Sequence, residues 1–501
     1  MTQKLYKNIG SGIFAQLFVV LANFISVPLL LNFFSKEVYG LVAFYFMIQL
    51  VFSFLDSGLS PLIIRQTAAV RANIDLSRRD YSALIHLCLM LFIFLGFVGF
   101  SIIFLLSEFI SYSWLTFQEL ESNKVVEVIQ LMAFIVGLRL ISGFFRALFI
   151  GHQNIVILNY LNISVSFLRF ILVIFYLISI EGDIVDYFLY QLACGLLELI
   201  ALVLLNKRHN KFTYTKTSFI EKVKSIKFHY KFALYSAFGV ISWIAVTSVD
   251  KLLISRFFSL ENFSAFSIGV MGASVFLYLS GPLSNSLIPR FTEVFEKEGL
   301  NALKSILENL LNLSLVLLLP LSIYASFFSE EVLLLWTGNE EIAAEAKIIL
   351  SFYSMGNVIA LLSSFVYFLQ AAKGELKLHF IGSTLFMVIY LPTLLFFIDA
   401  FGLVGSGYAW FIVNLILFLT WSGYVFKTHM SGFYFQWLYK VFLPSILISY
   451  ILVYFEYCIY LLFPEKIFLL SLTPVFFCFN SVVLYLFLYG PTKEPFSYLT
   501  N

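Results

Sequence analysis

Six ionisable side chains sit inside segments otherwise apolar enough to enter lipid: Asp56, Arg139, Arg169, Glu198, Asp250 and Lys251. A charge at the bilayer centre costs at least about 2.5 to 3.5 kcal/mol on insertion scales, so most of these groups should face a protein interior. Arg139 and Arg146 are seven residues apart, which puts them on nearly one face of a helix, about 10 Å apart along its axis. Arg169 follows in the next apolar segment. Planar, permanently charged guanidinium groups make paired hydrogen bonds to phosphate oxygens, so Arg139, Arg169 and Arg146 together can receive an anionic group in a cavity. The competing reading is internal: Arg169 pairs with Glu198, while Arg146 reaches out to the cytoplasmic headgroups. Residue spacing leaves both open.

The stretch LDSGLSPLIIRQTA, from Leu55, adds an acid, two helix breakers and another guanidinium. Asp56 and Arg65 are nine residues apart and point to opposite faces of a straight helix, so they should not pair. Gly58 and Pro61 let that helix bend, because proline removes a backbone donor and clashes with the preceding turn. Arg65 is assigned to the cytoplasmic edge, as is Arg290 further along, and Asp56 to the interior. Asp56 then either accepts hydrogen bonds from backbone amides freed by the bend or acts in function. For Asp250 the alternatives are coupling to H+ or Na+ and a local partnership with Lys251. All six histidines lie near segment ends, and the four cysteines lack metal-ligand spacing, so no metal or cofactor is expected.

The elements that carry these residues are helices. The chain has 501 residues, 61% hydrophobic and 12% charged, with a mean hydropathy of +0.94; soluble domains are about a quarter charged. Repeated apolar runs of roughly 20 residues make this an all-α polytopic membrane protein with about fourteen transmembrane helices, among them Tyr39 to Ile64, Phe232 to Phe257 and Ile467 to Leu488. Lys and Arg concentrate in alternate connections, among them Lys4 and Lys7, the run Arg71, Arg78 and Arg79, a basic stretch from Lys207 to Lys231, and Lys493. Basic residues flanking spans are kept on the cytoplasmic side, which places both termini there. The net charge of +2 calls for no nucleic-acid partner.

Two short motifs recur about 225 residues apart. FFSKEVY at Phe33 returns as FFSLENF at Phe257, and LIIRQT at Leu62 returns as LIPRFT at Leu287. A duplication of six helices in one orientation gives two lobes related by a pseudo-two-fold axis along the membrane normal. The expected organisation is therefore residues 1–206 as one six-helix lobe, 207–231 as a basic cytoplasmic hinge and 232–426 as the second lobe. Residues 427–501 add two helices and a short tail. No phosphate-cradling glycine loop with lysine, no paired-histidine zinc motif and no nucleophile elbow is present in the sequence, so the expectation is a transporter rather than an enzyme.

Several segments in order resemble the Wzx-type O-antigen flippases, the polysaccharide-exporting branch of the superfamily that also holds the MATE drug antiporters. They are LDSGLSPLIIRQTA, FFRALFIGHQNIVILN from Phe144, VDKLLISRFFSLENFSAFSI from Val249, GPLSNSLIPRFTEV from Gly281 and LLLWTGNEEIAAEAKIIL from Leu333. The resemblance covers roughly Lys4 to Phe426. It implies a substrate of sugar repeat units on undecaprenyl pyrophosphate, flipped across the bacterial cytoplasmic (inner) membrane by alternating access, with membrane lipid around it and polysaccharide polymerase and chain-length machinery as partners. Relatives often carry an acid after the arginine of the first motif; this chain has Gln66 there, so no role of that acid transfers. A cation-coupled exporter of small amphiphilic compounds is the alternative, and a polymerase or transferase is a third class.

Overall fold

A computed structural model describes residues 2–56, 58–71, 78–209, 244, 246–278, 280–462 and 473–489. The described residues form helices joined by short connections; among them the one strand-like pairing is an isolated bridge between Thr116 and Ser259. Among the described residues ten segments are long and apolar enough to cross a membrane. One of these, Lys377–His429, has 53 residues; a helix of that length would run about 80 Å against a hydrocarbon core of about 30 Å. It is two helices instead, broken at Gly402, whose φ of 66° lies in the left-handed region. The protein is a multi-pass, all-α membrane protein. Of the expected spans, Phe232 to Phe257 and Ile467 to Leu488 fall partly outside the described residues, as do most of the basic hinge and Lys493.

The chain divides into two compact units, Met1–Ser264 and Ala265–Asn501. In the first, the helices Arg78–Leu105 and Ser122–Gly151 lie side by side because two glycines meet. A Cβ on Gly137 would stand 3.0 Å from the Gly96 carbonyl, and one on Gly96 would stand 2.9 Å from the Gly137 carbonyl. With lipid tails as apolar as leucine, such backbone proximity is a main source of helix association. Leu62, Ile63, Ile85, Phe92, Phe144 and Leu148 close the core beside it. Glu37 anchors the loop before the Ser122 helix: its carboxylate accepts from the amides of Gln118, Glu119 and Leu120 at 2.8, 2.9 and 3.0 Å.

The bend expected at Gly58 and Pro61 is a full interruption. The helix Lys36–Phe52 tightens into a 3-10 turn over Ser53–Asp56, turns at Gly58, and restarts as Leu59–Arg71 with Pro61 in its first turn, where a missing amide hydrogen costs nothing. The continuous helix expected from Tyr39 to Ile64 is thereby corrected. The same pattern recurs at the repeat offset, where Leu260–Ala273 gives way to Val275–Tyr278 and then Ser280–Glu298.

In the second unit the core is aromatic and aliphatic, with Phe291, Leu311, Phe365 and Phe418 fully enclosed. Polar locks tie its helices. Trp410 donates to Asn357, which donates to the Ala273 carbonyl, at 2.9 and 2.8 Å; Trp437 donates to Asn312 at 2.9 Å. The helices Phe433–Leu462 and Thr473–Tyr489 pack on Leu300–Phe327, where Tyr489 donates to the Asn309 carbonyl.

The glycine contact gives a direct test. Replacing Gly137 with leucine should overpack the seam and cost about 1–3 kcal/mol. Thermal unfolding of detergent-purified protein should show a lowered midpoint, and an unchanged one would mean the two helices do not touch there.

Candidate functional site

Three helices of the first unit converge on one carboxylate. Ser122–Gly151 supplies Arg139 and Arg146, Ile155–Ile180 supplies Arg169 and Asn162, and Ile184–His209 supplies Glu198 and Gln191. The seven-residue spacing of Arg139 and Arg146 brings both to Glu198. Arg146 donates from Nε and Nη2 to Glu198 Oε1 at 3.0 and 2.5 Å, and from Nη1 to Asn162 Oδ1 at 2.6 Å. The other oxygen, Oε2, lies 3.2 Å from Arg169 Nη2 and 3.6 Å from Arg139 Nη1.

Burial grades the three guanidiniums. The Glu198 side chain is 1% exposed, Arg169 10%, Arg146 22% and Arg139 46%. Arg169 sits at the back, on a π-helical turn over Phe167–Leu172. Such turns leave the i to i−4 ladder out of step, and Gln191 donates to the Arg169 carbonyl at 2.9 Å. Gly195 lies beside the guanidinium: a Cβ there would be in ordinary contact with Arg169 Nη2, at 3.5 Å.

In front of Arg139 and Arg146 opens a cleft of about 380 Å³. Phe46, Gln49, Ser53, Asp56, Arg139 and Arg146 are among its lining residues. The break between Lys36–Phe52 and Leu59–Arg71 delivers Asp56 to this wall, where Ser60 donates to its Oδ2 at 3.1 Å. Gly143 makes the space, since a Cβ at that position would come within 2.8 Å of Asp56 Oδ2. Phe46 on the wall stacks with Phe170, the neighbour of Arg169, at 6.0 Å.

Pairing and cavity lining, opposed in the sequence reading, occur together. Arg146 does not extend to the headgroups, because Glu198 and Asn162 hold it inward. Asp250 and Lys251 stand apart from this cluster: Lys251 donates from Nζ to the Thr247 carbonyl at 2.6 Å and lies 3.5 Å from Asp250 Oδ1. Arg65 is exposed on the helix Leu59–Arg71, and Arg290 pairs with Glu293 at 3.4 Å. Sequence reasoning passed over Asn162, Gln191 and Gln49, whose signal was a polar side chain inside an apolar span one or two turns from a charged one. It also passed over Glu456, a buried carboxylate in the Phe433–Leu462 span. Among the described residues no group of His, Cys, Asp and Glu is arranged to hold a metal ion.

The fold and cluster together define a multi-pass, all-α membrane protein with a charged cleft within its first unit. The structure is similar to the lipid II flippase MurJ in an inward closed conformation, with a TM-score of 0.67 and 14% identity over 97% of this chain and 98% of that one. It is also similar to an inward-facing MATE family multidrug resistance transporter of the MOP superfamily, at a TM-score of 0.64 and 13% identity over 83% and 96%. A MOP superfamily transporter from Pyrococcus furiosus, in which the reverse polarity of the binding pocket suggests a different function, is similar at a TM-score of 0.56 and 13% identity over 85% and 95%. At these identities the likeness concerns the fold. Residues 5–295 match the profile of the polysaccharide biosynthesis protein family, and the chain belongs to that family. Among curated proteins, none matches the sequence.

The space left by Gly143 can be probed alone. Gly143→Ala adds a methyl group 2.8 Å from Asp56 Oδ2 and 3.2 Å from the ring of the buried Phe92, while a helical Gly-to-Ala change by itself favours the fold by up to about 1 kcal/mol and offsets part of that crowding. Transport should fall severalfold while the thermal midpoint moves little; unchanged transport would show that this wall is not used.

Proposed function

We propose that the protein flips undecaprenyl-pyrophosphate-linked oligosaccharide repeat units, precursors of O-antigen or another surface polysaccharide, to the outer leaflet of the bacterial cytoplasmic membrane. The observation that carries this reading is a set of three guanidiniums sharing one carboxylate, with Arg139 and Arg146 opening on a cleft. Arg139 is the first contact for the pyrophosphate, Arg146 the second from the same wall, and Arg169 supports both from behind through Glu198. Planar guanidinium groups in a sheltered site suit phosphate oxygens, and the prenyl chain can stay in lipid while the head crosses. Membership of a polysaccharide biosynthesis family supports a lipid-linked glycan as cargo.

Movement is by alternating access, with residues 1–206 and 232–426 as the two halves, 207–231 as their cytoplasmic connection, 427–501 as an addition, and both termini in the cytoplasm. Asp56 is the candidate group for coupling to H+ or Na+; Asp250 and Lys251 serve locally. Polysaccharide polymerase and chain-length machinery would consume the product, and no bond of the substrate is made or broken here. A second reading, cation-coupled export of small amphiphiles, draws on the Asp56 carboxylate in the cleft and the MATE-like fold. Two guanidiniums on the same cleft disfavour a cationic cargo.

Liposomes reconstituted with the purified protein and a lipid-linked oligosaccharide decide between these. Arg139→Gln, present at normal membrane levels, should cut the flipping rate by at least about tenfold, the loss expected when a charge-assisted phosphate contact is removed. Full flipping by that variant, or transport of cationic amphiphiles in its place, would overturn the proposal.

A further inference from the structure

The cluster is unequal in a way that its scaffolding role does not require. Glu198 Oε1 is committed to Arg146 through two hydrogen bonds. Its Oε2 is buried and within ion-pair range of Arg169 and Arg139, yet in hydrogen-bonding geometry with neither. Among the described residues Arg139 makes this one ion pair, at 3.6 Å, and no hydrogen bond, although a guanidinium offers five donors. It is also the most exposed of the three. A group whose role was to neutralise Arg139 would be expected to bind it as closely as Arg146 is bound.

Charge points the same way. Three guanidiniums face one enclosed carboxylate set behind the cleft, and the acid that lines the cleft is Asp56, itself held by Ser60. The site keeps a positive excess that a diphosphate can fill. Resting on the reading of Arg139 as the pyrophosphate contact, we propose that Glu198 is a resident counter-anion that competes with the substrate's diphosphate for Arg139. On loading, Arg139 leaves Oε2 and turns its donors to the phosphate oxygens. On release, Oε2 recaptures it. Glu198 is thus a positioning residue that limits affinity so that the head group can depart, and tight binding alone does not make a good transporter, because a ligand held equally in every state shifts no equilibrium.

A scaffold and a competitor predict opposite signs. Removing a scaffold carboxylate lets the guanidiniums repel one another and weakens anion binding. Removing a competitor strengthens it. Affinity for geranylgeranyl diphosphate should be measured on the full chain in nanodiscs, for wild type, Glu198→Gln, Arg139→Gln and the double variant, across a salt series. Glu198→Gln should bind more tightly by on the order of tenfold, with a steeper salt dependence and a slower flipping rate, and the gain should vanish when Arg139 is also replaced. Weaker or unchanged binding by Glu198→Gln overturns the inference while leaving Arg139 as the contact. Equal binding by wild type and Arg139→Gln removes the reading beneath it, and the inference with it. Should Glu198→Gln fail to fold, Glu198→Asp keeps the charge but withdraws it from Arg139; it should bind more tightly than wild type, and weaker binding counts against the inference in the same way.

Discussion

Glu198 is the constraint on which the first unit depends. Charged groups in a hydrocarbon environment must find partners, and here one enclosed carboxylate serves three guanidiniums from two neighbouring helices. The helix that carries it places Gln191, Gly195 and Glu198 on a single face, at steps of four and three residues. Each meets the same neighbour differently: Gln191 binds the Arg169 carbonyl, Gly195 lies beside its guanidinium, and Glu198 takes its charge. The residual positive charge meets a cleft lined by Arg139 and Arg146.

Backbone irregularity supplies the rest of the geometry. A π turn over Phe167–Leu172 aims Arg169 inward, and a broken helix at Ser53–Asp56 brings an acid to the wall of the cleft. Non-helical backbone inside a membrane protein is tolerated where it is enclosed by protein or lines a cavity, so both interruptions lie where that condition is met. The glycines have a related purpose. Gly96 and Gly137 let two backbones approach, which fixes the helix that presents Arg139 two residues later; Gly143, a turn and a half beyond, leaves the opening for Asp56.

Much of this was legible in the sequence. Mid-membrane charges stand out against a composition that is 12% charged, and the heptad spacing of Arg139 and Arg146 fixed their common face. Gly58 and Pro61 marked the interruption, although they gave a bend where the chain makes a break and a new start. The choice posed between internal pairing and cavity lining was mistaken in form, because it assumed one acid for each base; with three bases to one acid, a residue can be paired and still offer donors. Asn162, the π turn and the role of Gly143 were not legible, since a register slip in a helix leaves no periodic signature and a polar side chain in an apolar span does not name its partner. The family profile over residues 5–295 and the flippase-like and transporter-like folds agree with the resemblance carried by the ordered motifs.

The central claim is that the cleft beside Arg139 is an anion site held positive by an outnumbered carboxylate. Anomalous diffraction from crystals soaked in a heavy oxyanion such as perrhenate tests it most directly. The account predicts a peak in the cleft within about 4 Å of the Arg139 guanidinium, the reach of a direct ion contact, and its loss in an Arg139→Gln crystal. A cleft empty of anion at saturating soak, or a peak that persists without Arg139, would contradict it.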